Sequence, residues 1–176
     1  MFMIECLKAG DLKVNSVLKQ LEIADGQIIY PFDKIKNSEW GYVYEKFVGQ
    51  ILESEGFKVT YNGFNGFTDD GIDLIAEKGN AITFIQCKYF QTKKLSKSHI
   101  NEILFKASKK LSEAYREKDK QLAFALVVHC TESNFRRTPL KEDPNKQEYP
   151  WLHCFKSQDR RYPNLRVGFR EIPMHT

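Results

Sequence analysis

The chain has 176 residues, 41% of them hydrophobic and 28% charged; this fits one domain of roughly 100–200 residues and excludes a disordered or fibrous chain. Its longest uncharged apolar run, residues 122–128, is far short of the ~20 residues a membrane helix needs. The net charge of +4 conceals an asymmetry: residues 1–92 hold 9 Lys/Arg against 13 Asp/Glu, while 93–135 and 136–176 each hold 9 against 5. A basic second half suits a polyanionic partner, although scattered solvated lysines would give the same count. The start, MFMIECLKAGDLK, lacks the basic-then-apolar order of a signal peptide, so the expectation is a cytoplasmic protein with no membrane partner.

Along the chain, Val14, Val17, Leu18 and Leu21 recur at i, i+3, i+4 and i+7 and predict a short amphipathic helix over residues 12–22. Asp25-Gly26 marks a turn, and residues 27–30 read as a short strand ended by Pro31. Ser38 is the expected N-cap of a stronger helix, whose apolar stripe is Trp40, Val43, Tyr44, Phe47, Val48, Ile51 and Leu52 and whose left-handed terminator is Gly56. Glu45 is placed at the edge of that stripe. Residues 57–61 alternate as a half-buried strand, and 62–68 form a Gly/Asn-rich loop. A strand over 71–76 carries one carboxylate, Asp73; residues 77–80 turn, and 81–90 form the next strand.

Helical spacing returns over 98–118, where Ile100, Ile103, Leu104, Ala107, Leu111, Ala114 and Tyr115 share a face. The apolar run 122–128 is of strand length and predicts a strand covered on both faces. Four prolines, at 139, 144, 150 and 163, then break up a basic tail, with one last strand over 165–169. Helix, three strands, helix, strand predicts a mixed α/β sheet with helices against it. The four cysteines, at 6, 87, 130 and 154, include no Cys-x-x-Cys and suggest reduced thiols. His129-Cys130 and His153-Cys154 do not match zinc-finger spacing.

Asp73 inside an apolar strand calls for an explanation, since an unpaired buried charge is costly. By itself it could simply cap a backbone group at a strand end. The next strand adds Gln86 and Lys88, two apart and so on one face, with Ile85, Cys87 and Tyr89 on the other. A carboxylate, an amide oxygen and a backbone carbonyl are hard oxygen donors suited to Mg²⁺. A lysine beside such an ion can hold or deprotonate water, or stabilise charge on phosphorus. Glu45 could add a carboxylate directly or through a bound water. This is equipment for phosphodiester hydrolysis; no Gly-rich phosphate loop of the Walker kind occurs.

The ordered set Tyr44-Glu45, Gly56-Phe57-Lys58-Val59, Asp69-Asp70-Gly71-Ile72-Asp73-Leu74 and Gln86-Cys87-Lys88, with 12 residues between Asp73 and Gln86, resembles the catalytic core of the Mrr-like restriction endonucleases of the PD-(D/E)XK nuclease superfamily. The resemblance implies a restriction-endonuclease-like α/β core with a mixed sheet of four or more strands flanked by helices. It also implies Mg²⁺-dependent cleavage of DNA, with Mn²⁺ as a substitute, by a homodimer or with a partner subunit. By the same resemblance Asp73 is the metal-binding aspartate, Gln86 stands where most of the superfamily has Asp/Glu, Lys88 is the catalytic lysine, and Glu45 is the helix glutamate. The Cys87 backbone carbonyl would complete the metal set.

Outside that core, Lys93, Lys94, Lys97, Lys106, Lys109 and Lys110 are candidates for phosphate contacts. Arg136-Arg137 and Arg160-Arg161, with Trp151, Phe155 and Tyr162, could clamp DNA or simply wrap the sheet. The expected organisation is a single nuclease domain: extension 1–37, core 38–130, basic extension 131–176. The expected activity is restriction or other defence against foreign DNA. Its alternatives are a structure-selective nuclease of the Holliday-junction-resolvase type and a non-catalytic nucleic-acid-binding subunit.

Overall fold

The structure, a computed structural model, describes residues 2–65, 71–90, 94–114, 119–130, 138–139, 147–148 and 165–176. The readings on Asp69, Asp70, Lys93, Arg136, Arg137, Trp151, His153, Cys154, Phe155, Arg160, Arg161 and Tyr162 lie outside the described residues. The elements run α1 (Phe2–Lys8), β1 (Leu12–Asn15), β2 (Gln20–Ile23), β3 (Ile28–Pro31), α2 (Trp40–Ser54), β4 (Lys58–Tyr61), β5 (Leu74–Lys78), β6 (Ala81–Lys88), α3 (Lys97–Ala114), β7 (Gln121–Val128), β8 (Thr138–Pro139), β9 (Gln147–Glu148) and β10 (Leu165–Glu171).

A five-stranded mixed sheet in the order β10-β7-β6-β5-β4 organises the chain. The pairs β4–β5 and β5–β6 are antiparallel, whereas β7 runs parallel to both β6 and β10. Joining the parallel strands β6 and β7 requires a crossover, and α3 supplies it. Side-chain alternation sorts the sheet into two apolar layers. One layer packs Leu74, Ala76, Ile85, Cys87 and Val127 with α2 and the N-terminal elements; the other packs Ile82, Phe84, Leu122, Phe124, Leu126 and Val128 with Ile100, Ile103, Ala107 and Leu111 of α3. Strand β7 contributes to both layers, as its unbroken apolar run predicts.

Several boundaries differ from expectation. The helix expected over residues 12–22 is instead the β1–β2 hairpin, extended by β3 into a three-stranded antiparallel sheet. Of the four residues that suggested it, Val17 is 87% and Leu18 63% exposed, so no continuous apolar stripe exists. Instead Leu12 pairs with Ile23 and Val14 with Leu21 across the hairpin. Asn15 Oδ1 accepts from the Leu18 N–H at 2.9 Å, and Lys19 takes a positive φ of 53°. Local hydrogen bonding by Asn thus closes the turn. Helix α1 went unanticipated.

Ser38 does not cap α2. Glu39 holds the N-cap position, and its carboxylate reaches back to the Lys36 N–H at 2.8 Å. Gly56 ends the helix as expected, at φ 91°. Strand β5 begins at Leu74 rather than residue 71, which leaves Asp73 just outside the ladder, and the β5–β6 turn shrinks to Gly79 and Asn80.

Candidate active site

Asp73 is only 7% exposed and is held against β6 by two hydrogen bonds. Its N–H donates to the Ile85 carbonyl at 2.8 Å, and its Oδ2 accepts from the Cys87 N–H at 2.6 Å. A buried carboxylate taking a backbone N–H is a strong, charge-assisted contact. The capping role that Asp73 could play at a strand end is therefore present. It also fixes the carboxylate beside the Cys87 peptide.

Strand alternation divides β6 as expected. Ile85 and Cys87 enter the α2 layer, while Gln86 and Lys88 face α3. There they line a cleft of about 160 Å³ together with Phe90, Leu95, His99, Glu102, Ile103 and Lys106. Gln86 is 8% exposed, and its amide lies against Gly71, whose φ is +76°. Only a residue without Cβ adopts that conformation easily.

Glu45, also 8% exposed, comes from α2 and thus from the Cys87 side of the sheet. It reaches the site through the 3-10 turn Asn62–Phe64. Gly63 sits directly against the Glu45 Oε2, where a Cβ would collide with it. The Gly63 N–H donates to the Asp73 carbonyl at 3.0 Å, and Asn62 Nδ2 to the Ile72 carbonyl at 2.7 Å. One turn thereby supports both carboxylates. Burial pushes the Cys87 thiol well up, and the charges of Asp73 and Glu45 push it further, against Lys88. All three charged groups therefore act on one point of β6, and the thiol itself is a packed, protonated side chain.

Among the expected phosphate contacts, Lys94, Lys97 and Lys106 are exposed. Lys106 lines the cleft and pairs with Glu102 at 3.0 Å, an exposed i,i+4 pair worth little stability. Lys109 and Lys110 lie in α3, with their side chains outside the described residues. Two residues at the site escaped the sequence reading. His99 joins a capping box at the start of α3: the Ser96 N–H donates to His99 Nδ1 at 3.2 Å, and the His99 N–H to Ser96 Oγ at 3.4 Å. A neutral ring then carries its proton on Nε2. Lys46, next to Glu45, is 9% exposed. Its signal was a glycine one turn on, at position 49.

A family model described as restriction endonuclease matches residues 43–144, more than half the chain. The chain belongs to the Mrr-like restriction endonuclease family. The match begins within α2 just before Glu45 and runs through β7, so the residues gathered around Asp73 fall inside it. A comparison with curated proteins returned no match. Membership of a nuclease family implies DNA as the substrate class. Among the described residues, no helix is long and apolar enough to cross a membrane.

Proposed function

We propose that this chain is a metal-dependent endodeoxyribonuclease of restriction or defence, folded as one nuclease domain and acting as a homodimer or with a partner subunit. The observation that carries this is the Asp73 carboxylate fixed on the Cys87 N–H beside a cleft that Gln86 and Lys88 line together. The residues present fit a divalent cation. Among the described residues no three His, Cys, Asp or Glu side chains gather. The available donors are thus two buried carboxylates, an amide and a peptide carbonyl, all hard oxygens of the kind Mg²⁺ or Mn²⁺ takes while keeping waters.

Asp73, Gln86 and the Cys87 carbonyl would hold the ion, with Glu45 joining directly or through water. When bound, it supplies Lewis-acid polarisation of a phosphoryl oxygen and acidifies water. Lys88 holds the attacking water or donates to the phosphoryl oxygen as negative charge builds there. Lys94, Lys97 and Lys106, with Lys93, Lys109, Lys110, Arg136 and Arg137, would supply contacts to neighbouring phosphates.

The test is incubation with Mg²⁺ or Mn²⁺ and a panel of plasmid, methylated, single-stranded and branched DNA. Cleavage of at least one duplex form is expected, abolished in Asp73→Ala with binding largely retained. A protein that cuts nothing with either metal, or an Asp73→Ala variant as fast as the parent, sinks the reading.

A further inference from the structure

Lys46 is a lysine buried to nine-tenths, and no carboxylate pairs with it among the described residues; its ammonium lies 5.0 Å from the centre of the Tyr61 ring. The stem of this lysine is packed while its charged end keeps access to solvent, as a snorkelling lysine does, with the tyrosine ring as a weak partner. The surroundings show what that end faces. Lys46 opens into a cavity of about 370 Å³ lined also by Leu7, Lys8, Tyr61, Phe64 and Asn65.

Its walls are built rather than incidental. Tyr61 lies on Gly49, closer than any side chain there would permit, and stacks on Phe64 with ring centres 5.2 Å apart. Tyr61 is itself anchored through its hydroxyl, which donates to Glu53 at 3.0 Å. The second cation, Lys8, is paired among the described residues with the exposed Glu5 at 3.3 Å, a contact that an incoming anion can displace. Two lysines, one amide and an aromatic wall make a receptor for a compact polyoxyanion.

Position identifies that anion. The pocket shares a wall with the candidate active site: the turn Asn62–Phe64 presses Gly63 on Glu45 and presents Phe64 and then Asn65 to the cavity. One DNA strand carries a phosphate about every 3.4 Å along the axis. A strand with its scissile phosphate at Asp73 and Lys88 reaches this pocket with a flanking phosphate if it leaves the site on the Glu45 side, and that path is what the proposal assigns.

We propose that Lys46, with Lys8 and Asn65, forms a phosphate pocket on the Glu45 side of the site that holds the DNA strand beyond the scissile bond. This deepens, and rests on, the nuclease reading. Lys46 acts there as a positioning residue.

The experiment measures binding of a short labelled duplex, without divalent cation, across a salt series. Each lost phosphate contact should flatten the log–log salt slope by about 0.9. Lys46→Met should lose about that much slope, with roughly tenfold weaker binding at low salt, and Lys46→Arg should restore both. Lys8→Met, at an exposed position that cannot unfold the chain, should also flatten the slope. Lys13→Met, in the N-terminal sheet, should not. The unfolding midpoint of Lys46→Met should stay near that of the parent, since methionine keeps the packed stem and no ion pair is lost among the described residues.

If both Lys46→Met and Lys8→Met keep the parent's slope, or the parent binds no duplex, the pocket is overturned. A parent that cleaves DNA while both variants keep its slope leaves the nuclease reading standing alone. A flattened slope in a protein that never cleaves leaves the pocket standing and sinks the nuclease.

Discussion

Lys88 shares a cleft with the Gln86 amide and follows the Cys87 peptide that Asp73 holds. In the proposed mechanism its ammonium serves water or phosphate placed beside that carboxylate. Replacing it by alanine should slow cleavage by ~10²–10⁴, with little change in DNA affinity, because other lysines supply most of the electrostatics. Rate and affinity measured separately, with an exposed lysine such as Lys97→Ala as comparison, decide this. Equal losses in both would make Lys88 a phosphate anchor. Gly63 is a second test at this scale. An added Cβ must displace the buried Glu45 carboxylate, so Gly63→Ala should reduce cleavage at least tenfold and cost about 1–3 kcal/mol of stability. Cleavage kinetics and thermal unfolding check both numbers. A variant cutting at the parent's rate would remove Glu45 from the mechanism.

At the scale of elements, the end of β7 meets α2 through an aromatic cluster. His129 packs 5.0 Å from the Tyr89 ring centre and 6.4 Å from that of Tyr44, and its Nδ1 accepts from the Met174 N–H at 3.0 Å. Burial, and secondarily the nearby His175, hold its pKa below the ordinary value of 6.5. The sign follows from which form the fold prefers. A histidine whose folded pKa is depressed favours folding while neutral, so its contribution is complete above 6.5 and is lost as pH falls through the lower folded value. The unfolding temperature should therefore drop between pH 7.5 and pH 5 by more in the parent than in His129→Gln, which cannot titrate. Identical drops would mean that His129 does not couple to folding.

Across the whole molecule, the C-terminal strand closes the sheet. β10 covers the edge of β7 over seven residue pairs, from Leu165–Leu122 to Glu171–Val128. Beyond it, Ile172 and Met174 are buried in the α2 layer, and the Tyr44 hydroxyl, itself buried, donates to the Ile172 carbonyl at 2.9 Å. Arg170 also donates to the Glu55 carboxylate, next to the end of α2, through Nη1 and Nη2. Deleting residues 165–176 should expose the β7 edge and leave the Tyr44 hydroxyl without its acceptor. The expected outcome is loss of cooperative thermal unfolding, followed by circular dichroism. A truncated chain melting sharply at the parent's temperature would show that the four remaining strands suffice.

Period and spacing made the central elements legible. The α2 stripe, the β6 alternation that sets Gln86 and Lys88 opposite Cys87, the apolar run of β7 and the terminal Gly56 all follow from local geometry, which the order of side chains reports directly. The ordered motifs around Asp73 were legible through their resemblance to a known family, and the family match falls on that stretch. Local periodicity failed at residues 12–22, where four matching positions fitted a helix and Asn15 with Lys19 made a turn instead. Only long-range packing decides such a case: Leu21 and Ile23 are buried in the α2 layer, whereas Val17 and Leu18 stay outside it. The same holds for Lys46, which reads as a solvated helix lysine until Tyr61 and Phe64 close around it. Which cleft Gln86 and Lys88 line, and how Gly63 bridges Glu45 to Asp73, likewise depend on segments far apart in sequence. Residue order carries the period of each element; the partner each face meets exists only after the chain has folded.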